Sequence, residues 1–211
     1  SLTALKCSNV DFENSPTHPR ALLEDKLKAH RPRVLETFNE ILSHSVNRVA
    51  LFHETCPKGK LRIEVLQQDA KSLPIPEGSI HLIVTSPPYG EEQNTIGYLR
   101  WAKLVLYWLG FQPPEINALS KVTLGGMSNN DWRGVSSTLD RIVDESLRVN
   151  PRTAKQARAF FKDYYVSMEQ MNKMLCGGGF CCIVIGNRSL TGKRIPMDVV
   201  TKELGDAAGF E

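Results

Sequence analysis

The segment Thr85-Ser86-Pro87-Pro88-Tyr89 holds the side chains of this sequence best suited to chemistry. It directly follows Ile80 to Thr85 (IHLIVT), a short and nearly continuous apolar run of the kind that forms a strand buried on both faces of a parallel sheet. Ligands of such sheets sit beyond the carboxyl ends of the strands, so these residues fall where a site is expected. Two successive prolines fix φ and remove two backbone donors, leaving carbonyls free to accept from a ligand amine. The Ser86 hydroxyl ahead of them supplies a second acceptor. The Tyr89 ring just beyond can stack on a base that has been taken out of its helix. A Pro-Pro turn after a strand can also be purely structural.

The segment resembles the catalytic motif of the DNA amino-methyltransferases, in which Asp, Asn or Ser precedes Pro-Pro and an aromatic residue. The serine form is usual among enzymes that modify the exocyclic amine of cytosine, whereas adenine enzymes more often carry Asp. Tyr98 to Leu104 and Tyr107 to Gly110 resemble the helix that follows the motif in a subset of these enzymes. Met174-Leu175-Cys176-Gly177-Gly178-Gly179 through Gly186-Asn187 resembles the L-x-P-G-G turn and fifth strand of Rossmann-like methyltransferases, with Cys176 in place of proline. The resemblance covers most of residues 61 to 211. It implies an α/β fold, a partial Rossmann-like methyltransferase fold with a mostly parallel sheet and flanking helices. It further implies S-adenosylmethionine as cofactor, DNA as partner, a place in restriction-modification, and catalytic roles for Ser86, Pro87, Pro88 and Tyr89. Asp69, Ala70 and Ser86 would bind the cofactor, and Tyr89 and Asn187 the target base. From residue type alone, Asp69 can equally be a helix N-cap or a turn-former. The rival readings are an RNA methyltransferase acting on a guanine amine of tRNA, and a non-catalytic nucleic-acid-binding subunit of the same fold.

One departure from the family is pronounced. These enzymes hold the methionine end of the cofactor with a glycine-rich loop, usually like F-x-G-x-G, on the first strand, and the sequence contains no such loop. Gly177-Gly178-Gly179 follows a helix and precedes a strand, the wrong order for that role, and Gly125-Gly126 has no strand before it. The expectation is that the first strands and the last strands are missing. The chain is then a fragment or one part of a split enzyme, inactive alone and a weak binder of the cofactor. The missing half would be encoded in the same gene or in a separate chain.

The elements that must position the motif alternate as strand and helix. Arg62 to Leu66 (RIEVL) reads as a strand leading to Asp69, and Ile80 to Thr85 as the next strand. Tyr98 to Leu109 is a helix; Phe160, Phe161, Tyr164, Met168, Met171, Met174 and Leu175 mark a long amphipathic helix whose methionines belong to the core. Phe180 to Ile185 is another buried strand, and Met197 to Ala208 a last helix. Residues 1–60 read as a helical N-terminal segment and 61–211 as a partial catalytic domain. Within the former, 3–20 reads as a loop or arm, Val34, Leu35, Phe38, Ile41, Leu42 and Val46 share one helical face, and Val49 to Phe52 suits either a strand or the end of that helix. Residues 112–151 are polar and suit a recognition insertion, an ordered connection with short helices, or a solvated excursion. Lys121, Arg133, Arg141, Arg148 and Arg152 suit phosphate contacts, or scattered surface charge.

Composition adds bounds. The chain has 211 residues, 41% of them hydrophobic and 23% charged, as in a globular protein with one core. A net charge of +3 hints only weakly at a polyanionic partner. The five cysteines form no C-x-x-C pair and point to neither a disulfide framework nor a zinc site, so the expectation is a reducing, cytoplasmic setting and no metal. Cys181 and Cys182 are expected to be buried packing residues. No apolar run approaches the roughly 20 residues that span a bilayer.

Overall fold

A computed structural model of the protein describes residues 2–8, 21–56, 62–87, 98–122 and 132–211. They fall into two units, one of Ser1–Val65 with Gln93–Ala118 and one of Leu66–Glu92 with Leu119–Glu211. The first unit is helical. It holds α1 (Leu2–Cys7), α2 (Glu24–Ala29) and α3 (Val34–Thr55). The first of these corrects the expected loop over 3–20, of which residues 9–20 lie outside the described residues. Val49 to Phe52 is helix, not strand, and belongs to α3. On α3, Leu35, Phe38, Leu42, Val49 and Phe52 recur at helical spacing, as expected of an apolar face, yet all are exposed.

The second unit carries the strands. Its first is β1 (Ile80–Thr85), after which the chain passes through α4 (Tyr98–Trp108) of the first unit and α5 (Pro113–Val122). Then follow α6 (Ser137–Leu147), α7 (Pro151–Met174), β2 (Leu175–Ile183), the hairpin of β3 (Arg188–Leu190) and β4 (Lys193–Ile195), and α8 (Met197–Ala207). Residues 112–151 therefore contain α5 and α6. The helix starts obey capping chemistry. Ser136 accepts from the Leu139 amide at 3.1 Å at the head of α6, and Asn150 accepts from Thr153 at 3.1 Å at the head of α7, with Pro151 as its first residue.

The core lies between these helices. Ala154, Ala157, Phe161, Tyr164 and Met168 repeat at three- and four-residue intervals along α7 and are all buried. They pack with Leu139, Ile142 and Val143 of α6, Leu190 and Ile195 of the hairpin, and Met197, Val200 and Leu204 of α8. Met168 and Met174 are core residues, as their place on the stripe predicts.

The sheet is smaller than expected. β1 and β2 form a two-stranded parallel pair, and β3 and β4 a separate antiparallel one. Residues 62–68 contain no strand, which corrects the expectation for Arg62 to Leu66. Among the described residues no neighbouring strand takes up the segment's backbone groups, and Ile63 and Val65 are exposed. Burial on both faces is corrected as well. Ile83, Cys181, Ile183 and Ile185 turn toward the helices and are partly buried, whereas Leu82, Val84, Phe180, Cys182 and Val184 lie open on the other face. Cys182 is thus exposed and Cys181 only half-buried, unlike the expected packing residues. The glycines are not a turn outside the strand, for β2 starts before them. Ile80 stands opposite Leu175 and Leu82 opposite Phe180, so two steps on β1 match five on β2. Gly178 at φ +77° makes that detour, and a Cβ on Gly179 would lie 3.2 Å from the His81 carbonyl.

One long-range contact ties α8 to the head of α6. The Glu203 carboxylate accepts from Ser136 Oγ at 2.5 Å, from the Thr138 amide at 3.2 Å and from Thr138 Oγ1 at 2.6 Å. Burial pushes its pKa up, but the bonds from Ser136 and Thr138 outweigh that and leave it below the ordinary value. A depressed carboxylate stabilises the fold above its unfolded pKa, and that stability is lost as pH falls through the folded value. Resistance to urea should therefore weaken on acidification below about pH 4.3. Glu203→Gln, with an amide in place of one acceptor oxygen, should cost roughly 1–3 kcal/mol at pH 7 and flatten that acid dependence.

Candidate active site

Parallel pairing brings the carboxyl ends of β1 and β2 to one edge. Thr85 stands opposite Ile183, and the Val184 amide donates to the Thr85 carbonyl at 2.9 Å. Ser86 and Pro87 leave this edge from β1 while Gly186 and Asn187 leave it from β2, so three predicted site residues, Ser86, Pro87 and Asn187, share one edge of the sheet. Ser86 is exposed and Pro87 half-buried. Pro87 has no amide with which to continue the ladder. Pro88 and Tyr89 lie outside the described residues.

Asn187 is engaged. Its Oδ1 accepts from the Met197 amide at 3.0 Å, satisfying the first backbone donor of α8, whose N-cap position is held by Pro196 with no side-chain cap. One end of the amide is thereby committed to positioning α8.

Asp69 adopts the turn-forming alternative. Ser72 donates to the Asp69 carbonyl at 2.9 Å, the Lys71 amide donates to Asp69 Oδ1 at 3.0 Å, and Lys71 Nζ lies 3.5 Å from Oδ2. The same ammonium lies 3.6 Å from Asp163 of α7, which fastens the Asp69-Ala70 turn to the long helix. Both carboxylate oxygens of Asp69 are thus already engaged by Lys71. With no glycine-rich strand-to-helix loop in the sequence, Asp69, Ala70 and Ser86 do not by themselves fit a whole S-adenosylmethionine. Among the described residues no group of three or more His, Cys, Asp or Glu could hold a metal ion, and no helix is long and apolar enough to cross a membrane.

Arg188, the first residue of β3, was not singled out by sequence reasoning. It is buried directly after Asn187, and burial lowers its pKa to about 10, so its charge persists at neutral pH. Its place directly after the Gly186-Asn187 exit from β2 is the signal that could have marked it, because a cation is buried only where something repays its desolvation.

No protein-family model matches the chain, and no solved structure matches it. Over 195 residues it is 22% identical to the Type II methyltransferase M.MvaI of Kocuria varians, an alignment that takes in 85% of this chain and 43% of that protein. The chain thus spans less than half the length of the curated relative it matches.

The cap role of Asn187 separates two substitutions. Asn187→Ala should lower stability by about 1 kcal/mol through loss of the α8 bond. Asn187→Asp should restore it, because a carboxylate accepts from a helix N-terminus at least as well. Urea titrations of the two variants check this, and equal stability of Asn187→Ala and wild type would deny Asn187 the cap.

Proposed function

We propose that this chain carries the catalytic motif of an enzyme that methylates the exocyclic amine of cytosine in DNA, with S-adenosylmethionine as the methyl donor. The observation that carries the proposal is the position of Ser86-Pro87, displayed at the shared carboxyl edge of a parallel strand pair from which Gly186-Asn187 also leaves. The distant likeness to a Type II methyltransferase supports the reaction class and agrees with a restriction-modification role.

An exocyclic amine is a poor nucleophile because its lone pair is delocalised into the ring. Ser86 Oγ and the Pro87 carbonyl would each accept one hydrogen bond from the amine, drawing nitrogen toward tetrahedral geometry and aiming its lone pair out of the ring plane. Most of the rate gain is then positional. The two acceptors also stabilise the positive charge that grows on nitrogen as it is alkylated. Tyr89 would hold the extruded base by stacking. When bound, S-adenosylmethionine supplies an activated methyl group.

The open face formed by Leu82, Val84, Phe180, Cys182 and Val184 supports the further reading that more of the fold completes this sheet, since parallel strands are ordinarily covered on both sides. The remaining strands and the methionine-binding loop would come from the same gene or a separate chain. The 211 residues alone are then inactive and bind the cofactor weakly.

In the completed enzyme, Ser86→Ala should lower the single-turnover methylation rate at least tenfold, equivalent to about 1.4 kcal/mol of transition-state stabilisation, while duplex affinity holds. Tyr89→Ala should weaken capture of the flipped base by roughly 1–3 kcal/mol, and Tyr89→Phe should change little, because stacking needs the ring and not the hydroxyl. Wild-type rates in a Ser86→Ala, Tyr89→Ala double variant would remove the motif from the mechanism.

A further inference from the structure

Only four residues separate β2 from the β3–β4 hairpin, so the hairpin is rooted at the carboxyl edge from which Ser86 leaves. Its two-residue loop holds Thr191 at φ 49° and Gly192 at φ 81°, the left-handed pair favoured by tight hairpins. A β-branched residue is strained there, and the strain is borne because the tip is fastened to α6. Thr191 Oγ1 donates to Ser146 Oγ at 2.9 Å, and Lys193 pairs with Glu145.

Glu145 is crowded by cations. Lys193 bonds to it, Arg141 lies 4.0 Å away one turn earlier in α6, and Arg148 is near enough to act on it. Lys193 holds its carboxyl below the usual range, burial opposes this, and Arg141 and Arg148 add further lowering. Three cations thus surround one carboxylate. The neighbouring acids do not redress the balance, because Asp144 is taken by Arg133 and Arg158 and Asp140 accepts from the Gly134 amide at 2.7 Å. Leu139, Ile142 and Val143 turn the other side of α6 into the core, so Arg141 and Arg148 face outward. Arg194, paired with Ser189 across the hairpin, is exposed as well. Exposed ion pairs add little to stability, so a surplus of cations held on two elements is poorly explained as a folding device.

We propose that the outer face of α6 and the tip of the β3–β4 hairpin form a phosphate-binding surface, with Arg141, Arg148 and Lys193 gripping the backbone of duplex DNA beside the edge that displays Ser86. The inference rests on the functional reading above and assigns that reading its DNA contact. Phosphate positions a duplex without reading sequence, which suits a surface of cationic side chains with no aromatic among them.

The test is fluorescence anisotropy of a labelled DNA duplex with the 211-residue chain over a series of salt concentrations. An Arg141→Ala, Arg148→Ala, Lys193→Ala triple variant should flatten the slope of log affinity against log salt by roughly two to three, at about 0.9 per lost phosphate contact. Glu145→Gln should act in the opposite direction and tighten binding at low salt, a gain that misfolding cannot produce. Lys202→Ala removes an exposed lysine of α8 that is paired with Asp206, and should leave the slope unchanged. The proposal is overturned if the triple variant keeps the wild-type slope, if Lys202→Ala loses as much, or if wild-type binding is insensitive to salt. Failure of the functional reading looks different: a completed enzyme that grips DNA through this face and transfers no methyl would refute that reading alone, whereas methylation with an unchanged slope would refute only the surface.

Discussion

The backbone ladder between Ile80–Thr85 and the second half of β2 determines where the rest of the site stands. Parallel strands align their carboxyl ends only if the register allows it, and here the register depends on Gly177-Gly178-Gly179. Carried on without the detour from the pairing of Ile80 with Leu175, Thr85 would stand opposite Phe180, three residues short of Ile183. Ser86 and Pro87 would then face the middle of β2, and Gly186-Asn187 would lie well beyond them. The φ of Gly178 and the close approach of Gly179 to the His81 carbonyl are the local conditions for that alignment. The hairpin and α8 inherit it, since Asn187 leaves the same edge and caps the first turn of α8.

Much of this was legible in the sequence, for identifiable reasons. Ile80 to Thr85 is a strand because a short β-branched apolar run bounded by Gly78 and the Pro87-Pro88 pair has little alternative. The α7 stripe was readable from its three- and four-residue spacing, and α8 from Met197, Val200 and Leu204. Arg62 to Leu66 misled because a strand-like run of side chains does not specify its partner, and among the described residues no strand pairs with its backbone. The β3–β4 hairpin escaped notice because three-residue strands carry almost no periodic signal, although Thr191-Gly192 is a tight-turn pair. The grouping of Arg141, Arg148 and Lys193 around Glu145 joins residues up to 52 positions apart in the chain, and spacing cannot reveal it. Of the site itself, the edge position of Ser86-Pro87 was readable, whereas the engagement of Asp69 by Lys71 and of Asn187 by α8 depends on side-chain geometry.

Polar and apolar surfaces divide the second unit by role. On one side of the β1–β2 pair, Ile183 and Ile185 meet the helical core. On the other, Leu82, Val84, Phe180 and Val184 present a contiguous apolar face. Patches of this kind mark places where further structure docks, because their exposure to water is costly. The cations gather elsewhere, on the outside of α6 and the hairpin tip, where exposure costs them nothing. An exposed apolar face and a cationic face are thereby separated, with Ser86-Pro87 at the strand edge of the same unit.

The central claim is that serine at position 86, displayed at this edge, directs a methyl group to the amine of cytosine. It is tested most directly by digesting DNA treated with the completed enzyme and separating its nucleosides by mass spectrometry. The account predicts a methylated deoxycytidine with the methyl on the exocyclic nitrogen, absent when Ser86→Ala replaces the wild type. Methyl on adenine would contradict the base assignment, and unmodified DNA would contradict the reaction itself.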